Sequence, residues 1–341
     1  MTITHGDNLL VRIETQDGTV GWGEATSAPT MTGDTVGGLV GAVVEQLAPA
    51  IIGQDARFRP ALVQRMAQAL YGNTGARSAV EMALADLVGR ATGLPLVDLL
   101  GGPQRDRVRP LWLLGTPTIE QDVAQARARQ AEGYRFFKLK VGTKPVDDDI
   151  AGTLAVRAAL GPDVQLCADA NTGFTRAAAR RYLDGIQGAG LLFLEQPLRH
   201  DDLDGMAMLA RASSVPIGAD EGIHSASDLE AHAASGAAAG ASLKFIKLGG
   251  IAALLRRRRC ASGAACRSMS PASWPSRASP RRRSSMSAAR CPKPIGASAR
   301  PMRIWPRIWC TTSCTWSRTA ASACRPAAAS VSMSTKPRSS A

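Results

Sequence analysis

The sequence predicts an α/β protein: a (β/α)8-type barrel, incomplete at its C-terminal end, preceded by an α+β capping domain. Three observations carry this expectation. Between Val108 and Gly250 a strand-then-helix unit recurs, and its strand segments, such as "RFFKLKV", "VQLCADA" and "VPIGADE", are largely apolar, as in parallel strands buried on both faces. The polar residues that end these strands, Lys140, Asp169, Glu195, Asp220 and Lys244, lie 29, 26, 25 and 24 residues apart, the length of one βα unit. No glycine-rich dinucleotide turn follows the first strand of the repeat, which favours a barrel over a doubly wound sheet.

The chain opens on a β-hairpin. Residues 9–24 alternate apolar and polar around Asp17-Gly18, where glycine accepts the positive φ that a tight turn needs. From Thr35 to Leu100 the spacing becomes helical: "ALVQRMAQAL" and "ARSAVEMALADLVGRATG" place apolar residues three and four apart, and Gly93-Leu-Pro95 closes the last helix. Residues 1–105 therefore form the capping domain. Residues 106–255 supply six barrel strands, at "VRPLWLLG", "RFFKLKV", "VQLCADA", "LLFLEQP", "VPIGADE" and "ASLKFIKL".

A seventh and eighth strand should follow, yet the sequence changes character. Residues 252–341 hold 16 Arg, 2 Lys and no acidic residue, whereas residues 1–251 carry 23 basic against 28 acidic side chains. The formal net charge of +13 thus belongs to the tail, and the body is slightly acidic. Six of the seven cysteines and four of the six tryptophans also lie in the tail, while all four histidines lie outside it. From Arg256 to Ala341 the chain reads as an aberrant basic Arg/Ser/Ala-rich tail with a disordered composition. Its cysteines form no CxxC pair and have no histidine near them, which argues against zinc.

No charged-then-apolar leader is present, and no apolar run approaches the ~18 residues needed to span a membrane. The body is expected to be cytoplasmic and not membrane-bound. Its one cysteine, Cys167, suits a reducing compartment.

In a parallel barrel the C-terminal strand ends converge on one face, so charged residues there point to chemistry. "CADAN" offers Asp169 and Asn171, "FLEQP" offers Glu195, and "GADEG" offers Asp220 and Glu221. Three carboxylates on neighbouring strands repel one another unless a cation lies between them, and hard oxygen donors select Mg2+ or Mn2+. Lysines flank the trio. Lys138 and Lys140, two apart, share a strand face, and Lys244 stands across the barrel mouth. A lysine beside a second ammonium loses proton affinity and can serve as a base near neutral pH. Together these residues suit removal of a proton next to a substrate carboxylate, with the metal stabilising the resulting enediolate. Lys247, three residues past Lys244, falls on the other face if the segment is a strand, and reads as structural or solvated. Lys144 reads as a solvated loop charge, His224 and His232 as surface residues of the helix after the fifth strand, and "GDTVGG" lacks the lysine of a phosphate loop.

These residues resemble the enolase superfamily and, within it, the muconate-lactonizing (muconate cycloisomerase) subgroup. The "KLK" of Lys138-Leu139-Lys140, the "DAN", "EQP" and "DE" strand ends and "LKFIKLGG" match that subgroup in order and spacing over roughly residues 9–255. The resemblance implies Asp169, Glu195 and Asp220 as Mg2+ ligands, Lys140 as acid/base on one face with Lys138 as its pKa-lowering neighbour, and Lys244 as acid/base or cation stabiliser opposite. It also implies that the capping loop "APTMTGDT", with Thr30, Met31 and Thr32, covers a small carboxylate substrate, with Asn171 and Glu221 around the site. Lactone formation from a muconate, racemisation or epimerisation of an amino-acid derivative, and β-elimination as in a dehydratase all use this apparatus. An intact family member is expected to form a homo-oligomer.

Against that family the chain reads as lacking a strand before "LLVRI". The tail reads as an out-of-frame translation beginning after about residue 255. When each codon's third base is read with the next two, residues 269–279 and 304–311 become compatible with acid-containing, periodic segments, one of which looks like the family's seventh strand. Without its last two strands the barrel would leave strands one and six unpaired, and the chain as written is expected to be unstable or inactive. A product of another class, inactive or binding nucleic acid through the basic tail, is the alternative reading.

Overall fold

The computed structural model describes residues 6–256 and, beyond them, the backbone of two further strands at 267–268 and 304–314. The chain divides into two compact units.

The first unit contains the opening hairpin and Asp34–Gly102. Strands β1 (Gly6–Thr15) and β2 (Val20–Thr26) pair antiparallel, with Leu9 opposite Ala25 and Val11 opposite Gly23. Their turn is held as the sequence predicts: Gly18 takes φ +83°, and Asp17 Oδ1 accepts from Thr15 Oγ1 at 2.5 Å and from the Thr19 amide at 3.2 Å. Leu9, Val11 and Ile13 are buried on one face. Helices α1 (Val36–Gly41), α2 (Ala48–Ile51), α3 (Arg59–Ala69), α4 (Thr74–Thr92) and α5 (Leu96–Leu99) follow, with a π-helical turn over Ala42–Leu47 between the first two. Helix α4 ends at Gly93, whose φ of +68° gives the left-handed cap read from "GLP".

A tail segment joins this unit. Strand β10 (Ile304–Cys314) pairs antiparallel with the free side of β1, from Thr15 opposite Ile304 to Gly6 opposite Cys314. "IWPRIWCTTSC" is rich in β-branched and aromatic residues, a strand signal hidden by the composition around it. Pro306 lacks an N–H but sits in an edge strand, where the ladder shifts register between Ile13 and Thr15. Over 304–314 this strand replaces the disorder expected of the tail; the expectations of disorder and nucleic-acid binding for 257–266, 269–303 and 315–341 lie outside the described residues.

The second unit carries the parallel sheet in sequence order: β3 (Trp112–Leu114), β4 (Phe136–Lys140), β5 (Gln165–Asp169), β6 (Leu194–Glu195), β7 (Ile217–Ala219), β8 (Gly240–Ala241) and β9 (Arg267–Ser268). Between them run α6 (Ile119–Ala131), α7 (Val146–Leu160), α8 (Arg176–Gly185), α9 (Leu203–Ala212) and α10 (Ala226–Ser235). Thr118, Thr175, Asp202 and Ser225 cap four of these helices with side-chain oxygens, Ser225 in a reciprocal capping box with Asp228. This is the order of an incomplete (β/α)8 barrel. Among the described residues the sheet does not close, and β3 and β9 are its edges. The sixth barrel strand is nevertheless not bare, because β9 pairs with it.

Strand parity separates core from site. Phe137, Leu139, Leu166, Ala168 and Leu194 face the helices and pack with Val156, Tyr182 and Leu209. On the opposite face Phe136, Cys167 and Phe193 form their own cluster. Two residues further along, that same face carries Lys138, Asp169 and Glu195. These three strand segments thus run from an apolar inner residue to a charged one.

One strand is shorter than its sequence suggests. "ASLKFIKL" reads as a sixth strand, but only Gly240–Ala241 pair, and Phe245–Leu248 form a short helix, α11, with Lys244 at its N-cap. Gly249, at φ +81°, closes that turn by donating its amide to Phe245 O, a stop signal present in the sequence as Gly249-Gly250.

Candidate active site

Parallel register places the charged strand ends side by side: Lys140 opposite Asp169, and Asp169 opposite Glu195, with Asp220 just beyond the end of β7. Asp169, Glu195 and Asp220 are 3%, 1% and 1% exposed. Carboxylates buried this deeply need counter-charge, and lysines provide it. Lys138 Nζ donates to Glu195 Oε2 at 2.5 Å and stands 3.5 Å from Asp169 Oδ2. Lys140 Nζ donates to the same Asp169 oxygen at 2.8 Å and to Asn171 Oδ1. Lys244 Nζ donates to Asp220 Oδ2 at 2.5 Å. The lysines and carboxylates of the strand ends therefore pair in two groups, Lys138 and Lys140 with Asp169 and Glu195, and Lys244 with Asp220.

Proton affinities follow from the same contacts. Burial pushes the Lys138 ammonium down, but Glu195 and Asp169 outweigh it and hold the group above its ordinary value. Burial raises the Glu195 carboxyl, and neighbouring Asp169 adds to the rise against the pull of Lys138. For Asp220 burial also acts upward, yet Lys247 and Lys244 prevail and lower it.

Lys247 corrects the strand-face argument made from the sequence. Because its segment is helical, a spacing of three keeps Lys244 and Lys247 on one side, and both reach Asp220. Lys247 is fully buried and donates to Asp220 Oδ1 at 2.5 Å and to the Asp220 carbonyl. It is no solvated charge.

His232 is likewise 4% exposed, not a surface residue, with Nδ1 hydrogen-bonded to Asp228 O at 2.8 Å. Lys144 donates to Thr116 O at 3.1 Å from a half-buried position.

Two further residues join the site with no local sequence signal for their role. Gln196 of "EQP" is fully buried; its Oε1 accepts from the amides of Asp220 at 2.8 Å and Gly222 at 3.2 Å, tying the end of β6 to that of β7. Ser242 Oγ donates to Glu195 Oε1 at 2.8 Å. Gln196, Asn171 and Thr172 take left-handed backbone conformations, φ +35°, +41° and +66°, an arrangement that concentrates at functional strand ends. Asn171 Nδ2 donates to Glu221 Oε1 at 2.8 Å, so both residues read as surrounding the site are joined to it.

Residues Thr30–Gly33 group with this unit, apart from their chain neighbours. His224 Nε2 donates to Met31 O at 3.1 Å, and the Met31 Sδ lies 4.0 Å from Lys244 Nζ. Met31 is thus brought to the site, with Thr30 and Thr32 flanking it along the chain.

The donor set fits a hard divalent cation: three buried carboxylates on successive strands, with no sulfur or imidazole among them. Among the described residues no three such donors are drawn together into a ready-made metal cluster, and each of the three carboxylates is paired with a lysine ammonium group. Those ammonium groups stand where positive charge is required.

Two family models match the chain: "Mandelate racemase / muconate lactonizing enzyme, N-terminal domain" over residues 1–101 and "Enolase C-terminal domain-like" over residues 121–279. Muconate cycloisomerase 1 of Pseudomonas putida is 34% identical over 262 residues, covering 75% of this chain and 69% of that protein. The L-Ala-D/L-Glu epimerase of Bacillus subtilis is 32% identical over 252 residues, 73% of this chain and 69% of the relative. A substrate-liganded structure of an L-Ala-D/L-Glu epimerase from Bacillus subtilis superposes with a TM-score of 0.73 at 31% identity, covering 76% of this chain and 73% of that one.

Proposed function

The chain belongs to the mandelate racemase/muconate lactonizing enzyme family of the enolase superfamily, a family of enzymes, and from that premise we propose that it moves a proton at the carbon next to a substrate carboxylate. The observation that carries this reading is the flanking of three buried carboxylates by lysines at both ends of the strand order, Lys138 and Lys140 on β4 and Lys244 after β8.

Asp169, Glu195 and Asp220 would hold a divalent cation, Mg2+ or Mn2+. Such a cation supplies charge that offsets the negative charge developing on the substrate carboxylate. The remaining work falls to the chain's own side chains. In its neutral form Lys140 or Lys244 takes the proton from the carbon, and the lysine opposite delivers one. The ammonium formed on Lys140 is received by Asp169, and that on Lys244 by Asp220, partners they already have. Lys138, held charged by Glu195 and Asp169, remains a fixed counter-ion. Met31 Sδ stands beside the Lys244 amine, at 4.0 Å.

The relatives bearing the names muconate cycloisomerase and L-Ala-D/L-Glu epimerase act on compounds that carry carboxylates, which supports a small carboxylate substrate here. The test is incubation in D2O with Mg2+ and a panel of cis,cis-muconate, L-Ala-L-Glu and N-succinyl-L-arginine. Deuterium should enter the carbon next to a carboxylate of at least one compound and be lost with EDTA or in the double variant Lys140→Ala/Lys244→Ala. No exchange into any of them would count against the reading.

A further inference from the structure

Lys140 is held at two points, and the second has no role in the reading above. A lysine carries four flexible bonds and about 2 kcal/mol of rotamer entropy, so one ion pair alone leaves its amine free to swing. Here Nζ is shared between Asp169 Oδ2, at 2.8 Å, and Asn171 Oδ1. The Asn171 amide is itself directed: its Nδ2 gives a hydrogen bond to Glu221 Oε1 at 2.8 Å. A carboxylate accepts only, so Glu221 fixes which end of the amide faces Lys140. The backbone contributes as well. Asn171, at φ +41°, donates its own amide to Asp169 Oδ1 at 3.1 Å, so one turn sets the carboxylate and the amide that clasp the lysine. Asparagine is among the few side chains that tolerate this conformation.

We propose that Asn171, oriented by Glu221, is a positioning residue for Lys140, fixing the amine over one face of the substrate and leaving Lys244 untouched. The inference rests on the proposed acid/base role of Lys140. Among the described residues the Asn171 amide is the hydrogen-bond partner of Glu221 Oε1, and Glu221 Oε2 is buried with none, so the one hydrogen bond this carboxylate has to direct is that to the Asn171 amide.

The test uses the full chain and two readouts. Asn171→Gly removes the side chain while keeping the left-handed backbone accessible, and Glu221→Gln keeps an acceptor but removes the charge. The first readout is pulse acetylation with acetic anhydride, scored by peptide mass spectrometry. Lys140 should label several-fold faster in Asn171→Gly, with Lys144 and Lys244 unchanged. The second is α-proton exchange in D2O with L-Ala-L-Glu and L-Ala-D-Glu. The epimer whose exchange depends on Lys140 should slow roughly tenfold to a hundredfold in Asn171→Gly and less in Glu221→Gln, and the other epimer should keep its rate. Unchanged labelling at Lys140, or equal slowing of both epimers, overturns the inference. If labelling shifts but the unsubstituted chain exchanges neither dipeptide, the positioning stands and the acid/base reading with these compounds fails.

Discussion

Lys247 donates to Asp220 Oδ1 at 2.5 Å, and the two side chains are 0% and 1% exposed. An ion pair this dry cannot lose one member cheaply, because the other is left as an unpaired charge out of reach of water. Lys247→Met should destabilise the protein by roughly 3–5 kcal/mol, and Lys247→Met combined with Asp220→Leu by clearly less. Urea unfolding followed by circular dichroism measures both. Equal losses in the single and double variants would show that the pair is not coupled.

Asp220 should also shape the response to acid. Burial favours its neutral form, but Lys247 and Lys244 lower its folded pKa below the unfolded value, near 4. The group therefore adds stability above its unfolded pKa, and that share is lost as pH falls through the depressed folded value. The melting temperature should fall less steeply below pH 4 in Asp220→Asn than in the unsubstituted chain. Glu195 acts in the opposite sense, since burial raises its folded pKa and its ionisation costs stability as pH climbs from the unfolded value through the folded one.

Much of this was legible in the sequence, for a definite reason. A parallel strand announces itself by an apolar run, and its C-terminal end by the first charge after the run, so Lys140, Asp169, Glu195 and Asp220 were found by counting. The failures have equally definite causes. Lys247 is hidden from a strand period of two because its segment is a short helix, capped by Gly249. Gln196 stood in plain view in "EQP", but its use as an acceptor for two amides of the next strand's loop leaves no local pattern. Strand β10 was masked by the Arg/Ser-rich residues around it.

A divalent cation should stabilise the fold. Ligand present at a hundredfold its dissociation constant adds about 2.7 kcal/mol, so MgCl2 or MnCl2 should raise the melting temperature. The rise should vanish in Glu195→Gln, where one of the three carboxylates is lost. A melting temperature indifferent to both metals would contradict the proposed ligand set.

Close packing in the first unit predicts a different kind of sensitivity. A Cβ on Gly23 would fall on the Ala79 carbonyl and within 2.7 Å of the Ala83 amide of α4, backbone atoms that cannot step aside. Gly23→Ala should cost on the order of 1–3 kcal/mol through overpacking. Gly37→Ala, whose Cβ meets nothing within 4 Å, should cost little. Thermal denaturation of the two variants side by side gives the comparison.

Cys167 is fully buried among Phe136 and Phe193, and burial pushes its thiol well above the usual range. Iodoacetamide should leave the Cys167 peptide unmodified in the folded protein and alkylate it in 6 M guanidinium. Rapid labelling under native conditions would place this strand face in contact with solvent.

The central claim is that Lys140 and Lys244 serve opposite sides of one carboxylate site. The direct measurement is proton NMR of L-Ala-L-Glu and L-Ala-D-Glu incubated in D2O with Mg2+ and Lys140→Ala or Lys244→Ala. Complementary losses are expected, each variant abolishing α-proton exchange from one epimer and retaining it from the other. Loss of the same epimer in both variants, or exchange that survives both substitutions, would contradict it.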